Sequence, residues 1–176
     1  MIRRTHFVSM TLALALVGTT LGCGSKTEKK PAASTGKATW LLASMPAGSQ
    51  HIHEAKPQAK AGDEVVVRGR IGGRKQPITA GSGTFTLMDL AVPSCSDNPE
   101  DNCSTPWDYC CEKPEDIMAA SVTVTLVGED GKPLSTDLAQ QGLKPLDEVV
   151  VVGKVAERPN DAVMVIHAKG VHKVGS

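Results

Sequence analysis

The sequence predicts a mainly β protein built around one small five-stranded barrel. Five runs rich in valine, leucine, isoleucine and threonine recur along the chain, with glycine, proline and aspartate between them, as is typical of strands joined by turns. Several of these runs alternate apolar and polar residues, which is the period of a sheet with one buried face. Two runs contain an internal glycine, a residue that bent strands in closed barrels require.

The first 22 residues predict an export signal rather than a part of the folded domain. Arg3 and Arg4 give the N-terminus a positive charge, and residues 7–21 contain no charged side chain. A helix of about 15 residues is too short to cross the roughly 30 Å hydrocarbon core of a bilayer. That length is typical of the apolar region of a signal peptide.

The segment Thr20-Leu21-Gly22-Cys23-Gly24 resembles the lipobox of bacterial lipoproteins. The resemblance implies cleavage before Cys23 and attachment of a diacylglyceryl group to its thiol, which makes the membrane a partner through the N-terminal lipid. By the sorting rule of that family, a glycine after the cysteine favours the outer membrane. The alternative is an ordinary secretory signal with an incidental cysteine. We expect a lipid-anchored protein of the cell envelope, at the outer membrane or on a membrane facing the periplasm.

Residues 23–38 are mostly Ser, Lys, Thr, Ala, Gly and Pro, the composition of a flexible tether. The 138 residues from 39 to 176 are enough for one hydrophobic core and too few for two. Six of the 19 basic residues and one of the 19 acidic residues precede residue 39, which leaves 13 against 18 and a net charge of −5. An acidic domain binds polyanions poorly, so nucleic acid is not an expected partner.

The predicted elements follow one another in a simple order. A short helix over residues 50–61, interrupted at Pro57, precedes the first strand, and a helical connection or turn over residues 135–142 precedes the fourth. Phe85 alternates with threonines and is expected in the core. The predicted strands are residues 64–71, 83–90, 121–127, 148–155 and 162–174.

Two predicted strands have similar sequences: DEVVVRGRI, which begins at Asp63, and DEVVVVGKV, which begins at Asp147. Each valine run ends in a glycine, Gly69 or Gly153. Together with GTFTLMDL and AVMVIHAKGVHKV, these motifs resemble the five-stranded OB-fold, in particular small bacterial periplasmic OB-fold proteins and the anticodon-binding type of OB domain. The resemblance covers about residues 50–174 and implies an OB-type barrel.

An insertion over residues 92–117, between the second and third predicted strands, is not a feature of those families. It holds Cys95, Cys103, Cys110 and Cys111. Once Cys23 is assigned to lipid, these four form an even set, which predicts two disulfides in an oxidising compartment. A bond between the two neighbours would be strained, so Cys95 and Cys103 are each expected to pair with one of them. Which pairs with which stays open.

The insertion has two alternative interpretations. The four thiols could form a metal or redox site, although zinc ligands usually come in pairs two to four residues apart. The spacings here are seven, six and zero intervening residues, so we expect no metal ion and no other cofactor. Trp107 and Tyr109 could be rigid aromatic anchors for an envelope protein or a small ligand.

The remaining candidates lie on the predicted barrel. Arg68 and Arg70 share one face of the first strand, where an oligonucleotide or oligosaccharide could bind. His51 and His53 are expected to be exposed, with their rings apart on a helix. The sequence contains no nucleophile with a base at a recognisable spacing and no glycine-rich phosphate loop, so we do not expect an enzyme. The prediction is a non-enzymatic binding or scaffold module of the cell envelope.

Overall fold

The computed structural model describes residues 39–175. The predicted signal peptide, the tether and the lipidation site Cys23 lie outside the described residues. Within that part of the chain, no helix is long and apolar enough to cross a bilayer. The elements are, in order, β1 (Gln50–His51), α1 (Ile52–Ala55), β2 (Glu64–Ile71), β3 (Thr84–Met88), α2 (Pro114–Ala119), β4 (Ser121–Leu126), β5 (Glu148–Glu157) and β6 (Val165–Lys173).

Five of the strands close into a barrel. The hydrogen-bonded order is β2-β3-β4-β6-β5, and β5 returns to pair with β2. All neighbours are antiparallel except β4 and β6, which are parallel. The two-residue strand β1 adds to β2 in parallel. This order, with one parallel pair that closes a five-stranded Greek-key barrel, is that of the OB-fold, and the predicted fold class is confirmed.

The five strands predicted from the alternating runs all exist. The first is found with the predicted bounds, Glu64–Ile71, and the others shift by three residues or fewer at either end. Their inward residues make the core with Phe85, which is buried as expected. Most of the other core members are aliphatic, among them Val67, Ile71, Leu87, Val124, Leu126, Val151, Ile166 and Val171.

The two strands with similar sequences, β2 and β5, pair with each other. β2 and β5 run antiparallel from Glu64 opposite Lys154 to Arg70 opposite Glu148. A Cβ on Gly69 would come within 2.5 Å of the Met88 carbonyl oxygen, and one on Gly153 within 2.8 Å of the Cα of Ala168. Each glycine therefore permits a close backbone approach, as the sequence predicted.

The turns that start these two strands also match. The side chain of Asp63 accepts the backbone N–H of Lys60 at 2.8 Å, and the side chain of Asp147 accepts that of Lys144 at the same distance. The same aspartate turn therefore sets the start of both strands.

The helices differ from the prediction. Only Ile52–Ala55 of residues 50–61 is helical, and residues 50 and 51 form β1 instead. Of the helical connection or turn expected over residues 135–142, the turn forms, because the carboxylate of Asp137 accepts the backbone N–H groups of Ala139 and Gln140. This connection contributes Leu138 and Leu143 to the core. A helix that was not predicted, α2, begins inside the insertion at Pro114, a residue favoured in the first helical turn, and ends beyond it at Ala119.

Candidate functional site

The two ends of the insertion lie side by side where they join the barrel, and we call this point the neck. The backbone N–H of Asp89, just after β3, donates to the carbonyl of Ala120, just before β4, at 2.8 Å. Further along, the Gly73 N–H donates to the Trp107 carbonyl at 2.8 Å. Gly72 lies so close that a Cβ there would be 2.8 Å from that same carbonyl. The two glycines after β2 therefore let the insertion pack directly on the barrel backbone.

Arg70 fixes the start of the insertion. Its guanidinium donates to Asp97 at 2.7 Å and to the Ser94 hydroxyl at 3.0 Å. Burial would raise the pKa of Asp97, but hydrogen bonds from Arg70 and Ser94 outweigh it and hold that pKa below its ordinary value. The neighbouring candidate, Arg68, is ion-paired with Glu148 across the strand pair. Both arginines predicted as ligand-binding residues are thus engaged by acids of the protein itself.

The two aromatic candidates differ in their surroundings. Tyr109 is only 1 % exposed, so the expectation that it anchors a partner at the surface is wrong. Its backbone is left-handed, with φ of 59°, and this turns the chain so that the ring packs inward against Gly72. Trp107 is half-buried, and its Nε1 donates to the Lys75 carbonyl at 3.1 Å. Trp107 remains a candidate contact for a partner.

Three thiols of the insertion come together. The Sγ of Cys110 lies 3.5 Å from that of Cys103 and 3.8 Å from that of Cys95. All four cysteines after Cys23 are free thiols here, since a disulfide requires an S–S separation of about 2.05 Å. The two predicted disulfides are therefore not formed in this structure and stay a prediction for the oxidised protein.

A carboxylate completes the group, which we call the thiol cluster: Cys95, Cys103, Cys110 and Asp108. One ligand atom from each of the four lies within 4.8 Å of all the others. Asp108 is held in place by the Thr105 hydroxyl at 2.7 Å and the Cys110 N–H at 3.0 Å. Burial would raise the pKa of Asp108, but these hydrogen bonds lower it below its ordinary value. The carboxylate is therefore ionised and oriented.

Hydrogen bonding also shifts the pKa values of two of the thiols in opposite directions. The Thr105 N–H and the Cys110 thiol donate to Cys103 and lower its pKa, whereas bonding to Cys103 raises the pKa of Cys110. Of the two sulfurs, that of Cys103 is therefore the more readily deprotonated. Cys111 is not one of these four residues, but it lies near the thiol cluster, because it forms a second triplet with Asp101 and the shared Cys95.

Two histidines and an acid form another polar group. The rings of His51 and His53 stack with centroids 5.6 Å apart, so the expected separation of the rings on a helix is wrong, because His51 ends β1 and only His53 is helical. His53 donates its backbone N–H to the buried carboxylate of Asp89 at 2.6 Å, and its Nδ1 lies 3.0 Å from the same oxygen. The His53 side chain is 55 % exposed, in agreement with the prediction.

Sequence reasoning did not single out Lys56 or Arg158. The Nζ of Lys56 donates to four backbone carbonyls at 2.7–3.0 Å. The side chain of Arg158 is also buried. Neither residue belongs to a motif, and a single buried basic residue carries no pattern by which a sequence would reveal it.

No protein-family model matches the chain, and comparison with curated proteins gave no match. Two solved structures share part of the architecture at 15 % identity. The hypothetical protein ygiW from E. coli aligns over 69 % of this chain and 85 % of its own, with a TM-score of 0.33. An aspartyl-tRNA synthetase assigned in Leishmania major Friedlin aligns over 76 % of this chain, with a TM-score of 0.40, and this chain spans only 22 % of its length. The OB-type assignment therefore rests on the strand order.

Proposed function

We propose that the protein is a non-enzymatic binding module of the cell envelope, lipid-anchored at Cys23, and that its ligand is a zinc-class metal ion held by the thiol cluster. The observation that carries the proposal is the spacing of the three sulfurs and the carboxylate. A tetrahedral ion with metal–sulfur bonds of about 2.3 Å separates its sulfur ligands by about 3.8 Å. The Sγ separations of 3.5 and 3.8 Å are close to that edge.

The mixture of ligands favours zinc over copper. Cysteine sulfur and aspartate oxygen are both ordinary ligands of Zn²⁺, whereas Cu⁺ prefers sulfur alone and would leave Asp108 unused. The Asp108 carboxylate is already oriented by hydrogen bonds from the Thr105 hydroxyl and the Cys110 N–H. Metal ligands are commonly oriented by hydrogen bonds of this kind. The barrel contributes a rigid base through Arg70 and Asp97.

The test is a zinc titration of the full-length chain, purified in mild detergent under reducing conditions, against a chromophoric chelator. We expect one zinc per chain, loss of binding in Cys110→Ser, and at least a tenfold weaker affinity in Asp108→Asn. Cys111→Ser is the matched control, because its thiol is next in sequence and near Cys95 but is not one of the four proposed ligands, and it should lose far less affinity than Cys110→Ser.

The alternative is a loop stapled by two disulfides. In that case the aerobically purified protein would have a mass lower by four hydrogens, no reactive thiols and no bound metal. Equal losses in Cys110→Ser and Cys111→Ser would also contradict the proposed ligand set. A preference for Cu⁺ over Zn²⁺ that does not depend on Asp108 would contradict the assignment of the ion.

The anchor has its own test. Cys23→Ser should give an unprocessed or freely released protein, whereas the unaltered chain should fractionate with membranes and incorporate labelled fatty acid. If Cys23→Ser still incorporates fatty acid, the lipidation site is wrong. This result does not bear on the thiol cluster, so the two parts of the proposal can fail separately.

A further inference from the structure

A cavity of about 460 Å³ lies between the end of α1, the end of α2 and the loop that joins β5 to β6. It shares no lining residue with the thiol cluster. Its apolar wall is formed by Pro57, Ala119 and Ala120, and its basic residues include Lys56 and Arg158. The cavity thus combines an apolar surface with two buried positive charges.

Arg158 has hydrogen-bonding capacity that the described residues do not use. Its side chain is 9 % exposed, and its Nη1 is buried without a hydrogen-bond partner in the part of the chain that the structure describes. Its Nη2 lies 3.9 Å from Asp161, whose own side chain is fully exposed. A buried charged donor without an acceptor is costly. The guanidinium would therefore gain from a closer acceptor.

Lys56 adds charge to the cavity but no free donor. Its ammonium has three protons, and four carbonyl oxygens already surround it, those of Met118, Ala119, Ser121 and Ala162. These oxygens are neutral and leave the charge uncompensated. Burial and the nearby charge of Arg158 lower the pKa of Lys56 to about 8, which still leaves it mostly protonated at neutral pH.

The acids around the cavity leave this charge largely unbalanced. Asp161 is the one acidic side chain in the cavity lining, and it points into solvent. The buried carboxylate of Asp89 is engaged by His53 and by the Ala91 N–H. An incoming anion would therefore meet a positive field with one competing carboxylate at the rim.

We propose that this cavity binds an organic carboxylate, with its oxygens on the Arg158 guanidinium and its apolar part against Pro57, Ala119 and Ala120. The planar guanidinium matches a carboxylate in a two-point hydrogen bond. Such a ligand could be a small carboxylic acid or the C-terminal carboxylate of a peptide, which share this chemistry. The inference goes beyond the proposed metal site and does not depend on it.

The first experiment compares acids with their amides by calorimetry on the full-length chain in mild detergent. The probes are N-acetyl-valine, N-acetyl-valinamide, a valine-terminated pentapeptide with a free C-terminus, the same peptide amidated, and inorganic phosphate. We expect each acid that binds to do so at least tenfold more tightly than its amide. Binding of both acids identifies a carboxylate site that accepts small molecules; binding of the peptide acid alone identifies a peptide C-terminus. Equal binding of acid and amide, no binding of either acid, or tighter binding of inorganic phosphate would overturn the proposal.

Variants assign the binding to the cavity. Arg158→Gln should weaken the acid at least tenfold, whereas Arg74→Gln, the same change at an exposed arginine, should leave the affinity unchanged. Unchanged affinity in a folded Arg158→Gln protein would overturn the proposal. Asp161→Asn changes only an exposed side chain and removes the competing carboxylate, so it should tighten binding at least twofold. If Arg158→Gln does not fold, unchanged or weaker binding in Asp161→Asn decides against the proposal.

Discussion

Lys56 joins segments that are far apart in the sequence. Its Nζ donates to the carbonyls of Met118 and Ala119 at the end of α2, of Ser121 at the start of β4, and of Ala162 before β6. These carbonyls need partners because the last turn of a helix leaves its own unsatisfied. One side chain therefore ends a helix and positions the loop that leads into the last strand.

Replacing Lys56 with methionine should destabilise the protein by about 2–4 kcal/mol, because hydrogen bonds to a charged group contribute about 1.5–3 kcal/mol and the freed carbonyls would be left without a donor. Urea unfolding monitored by circular dichroism measures the change. Lys60→Met, at an exposed lysine, is the control and should stay within about 0.5 kcal/mol of the unaltered protein. Equal stability of the two variants would contradict this role for Lys56.

Asp89 should make the protein sensitive to acid. Burial would raise its pKa, but hydrogen bonds from Ala91, from the His53 backbone and from the His53 ring lower it below the ordinary value. A carboxyl whose folded pKa is depressed stabilises the protein above its unfolded pKa of about 3.9, and this contribution is lost as the pH falls through the folded value.

The stability difference between the unaltered protein and Asp89→Asn should therefore be present at pH 5 and shrink below about pH 4. Chemical unfolding at a series of pH values measures it. The exposed Asp116→Asn is the control and should show no comparable pH dependence. A difference that persists undiminished at pH 3 would rule out this linkage.

At the scale of the elements, the strands could all be predicted, whereas the helices could be predicted only in part. Alternation and internal glycines identify a strand locally, because burial on one face imposes a period of two. The sequence of residues 135–142 left a helix and a turn open, and the Asp137 carboxylate, which accepts two backbone N–H groups, selects the turn. Competition of this kind depends on a side-chain rotamer that periodicity does not report.

A substitution at Gly153 would test whether the close approach of strands constrains the barrel. A Cβ there would meet the backbone of His167 and Ala168, which cannot move aside as a side chain could. We expect Gly153→Ala to cost about 1–3 kcal/mol through overpacking, as measured by thermal and urea unfolding. The adjacent exposed Lys154→Ala should change stability by about 0.5 kcal/mol or less. If Gly153→Ala is neutral, this approach is not a constraint on the barrel.

At the scale of the whole molecule, metal binding and folding should be coupled. A ligand that binds only the folded state stabilises it, by about 4 kcal/mol at a free concentration a thousandfold above its Kd. Saturating zinc should therefore raise the Tm of the reduced protein by several degrees. Cys110→Ser should show no zinc-dependent shift and Cys111→Ser an unaltered one. Zinc-independent melting of a fully reduced, folded protein would contradict the coupling.

The cysteines of the candidate site were predictable, whereas Asp108 and the arrangement of the four ligands were not. The sequence marks the insertion by its four cysteines, but spacings of seven, six and zero do not fit a common zinc pattern. What brings Cys95, Cys103 and Cys110 together is the left-handed turn at Tyr109 and the anchoring of Asp97 by Arg70. These are tertiary contacts. The cavity beside Arg158 depends on tertiary contacts still more, because its lining residues come from three distant segments of the chain.

The hydrogen bond from the Asp89 N–H to the Ala120 carbonyl at the neck of the insertion affects which changes of sequence the protein can tolerate. The two ends of the insertion meet at this neck, and the entropic cost of a closed loop grows only logarithmically with its length, by about 0.6 kcal/mol for each doubling. Substitutions, duplications or exchanges within residues 92–117 that keep the contacts of Trp107 and Tyr109 with the barrel would therefore leave the pairing of β3 with β4 in place. New chemistry can be acquired in the insertion while the strands keep their register.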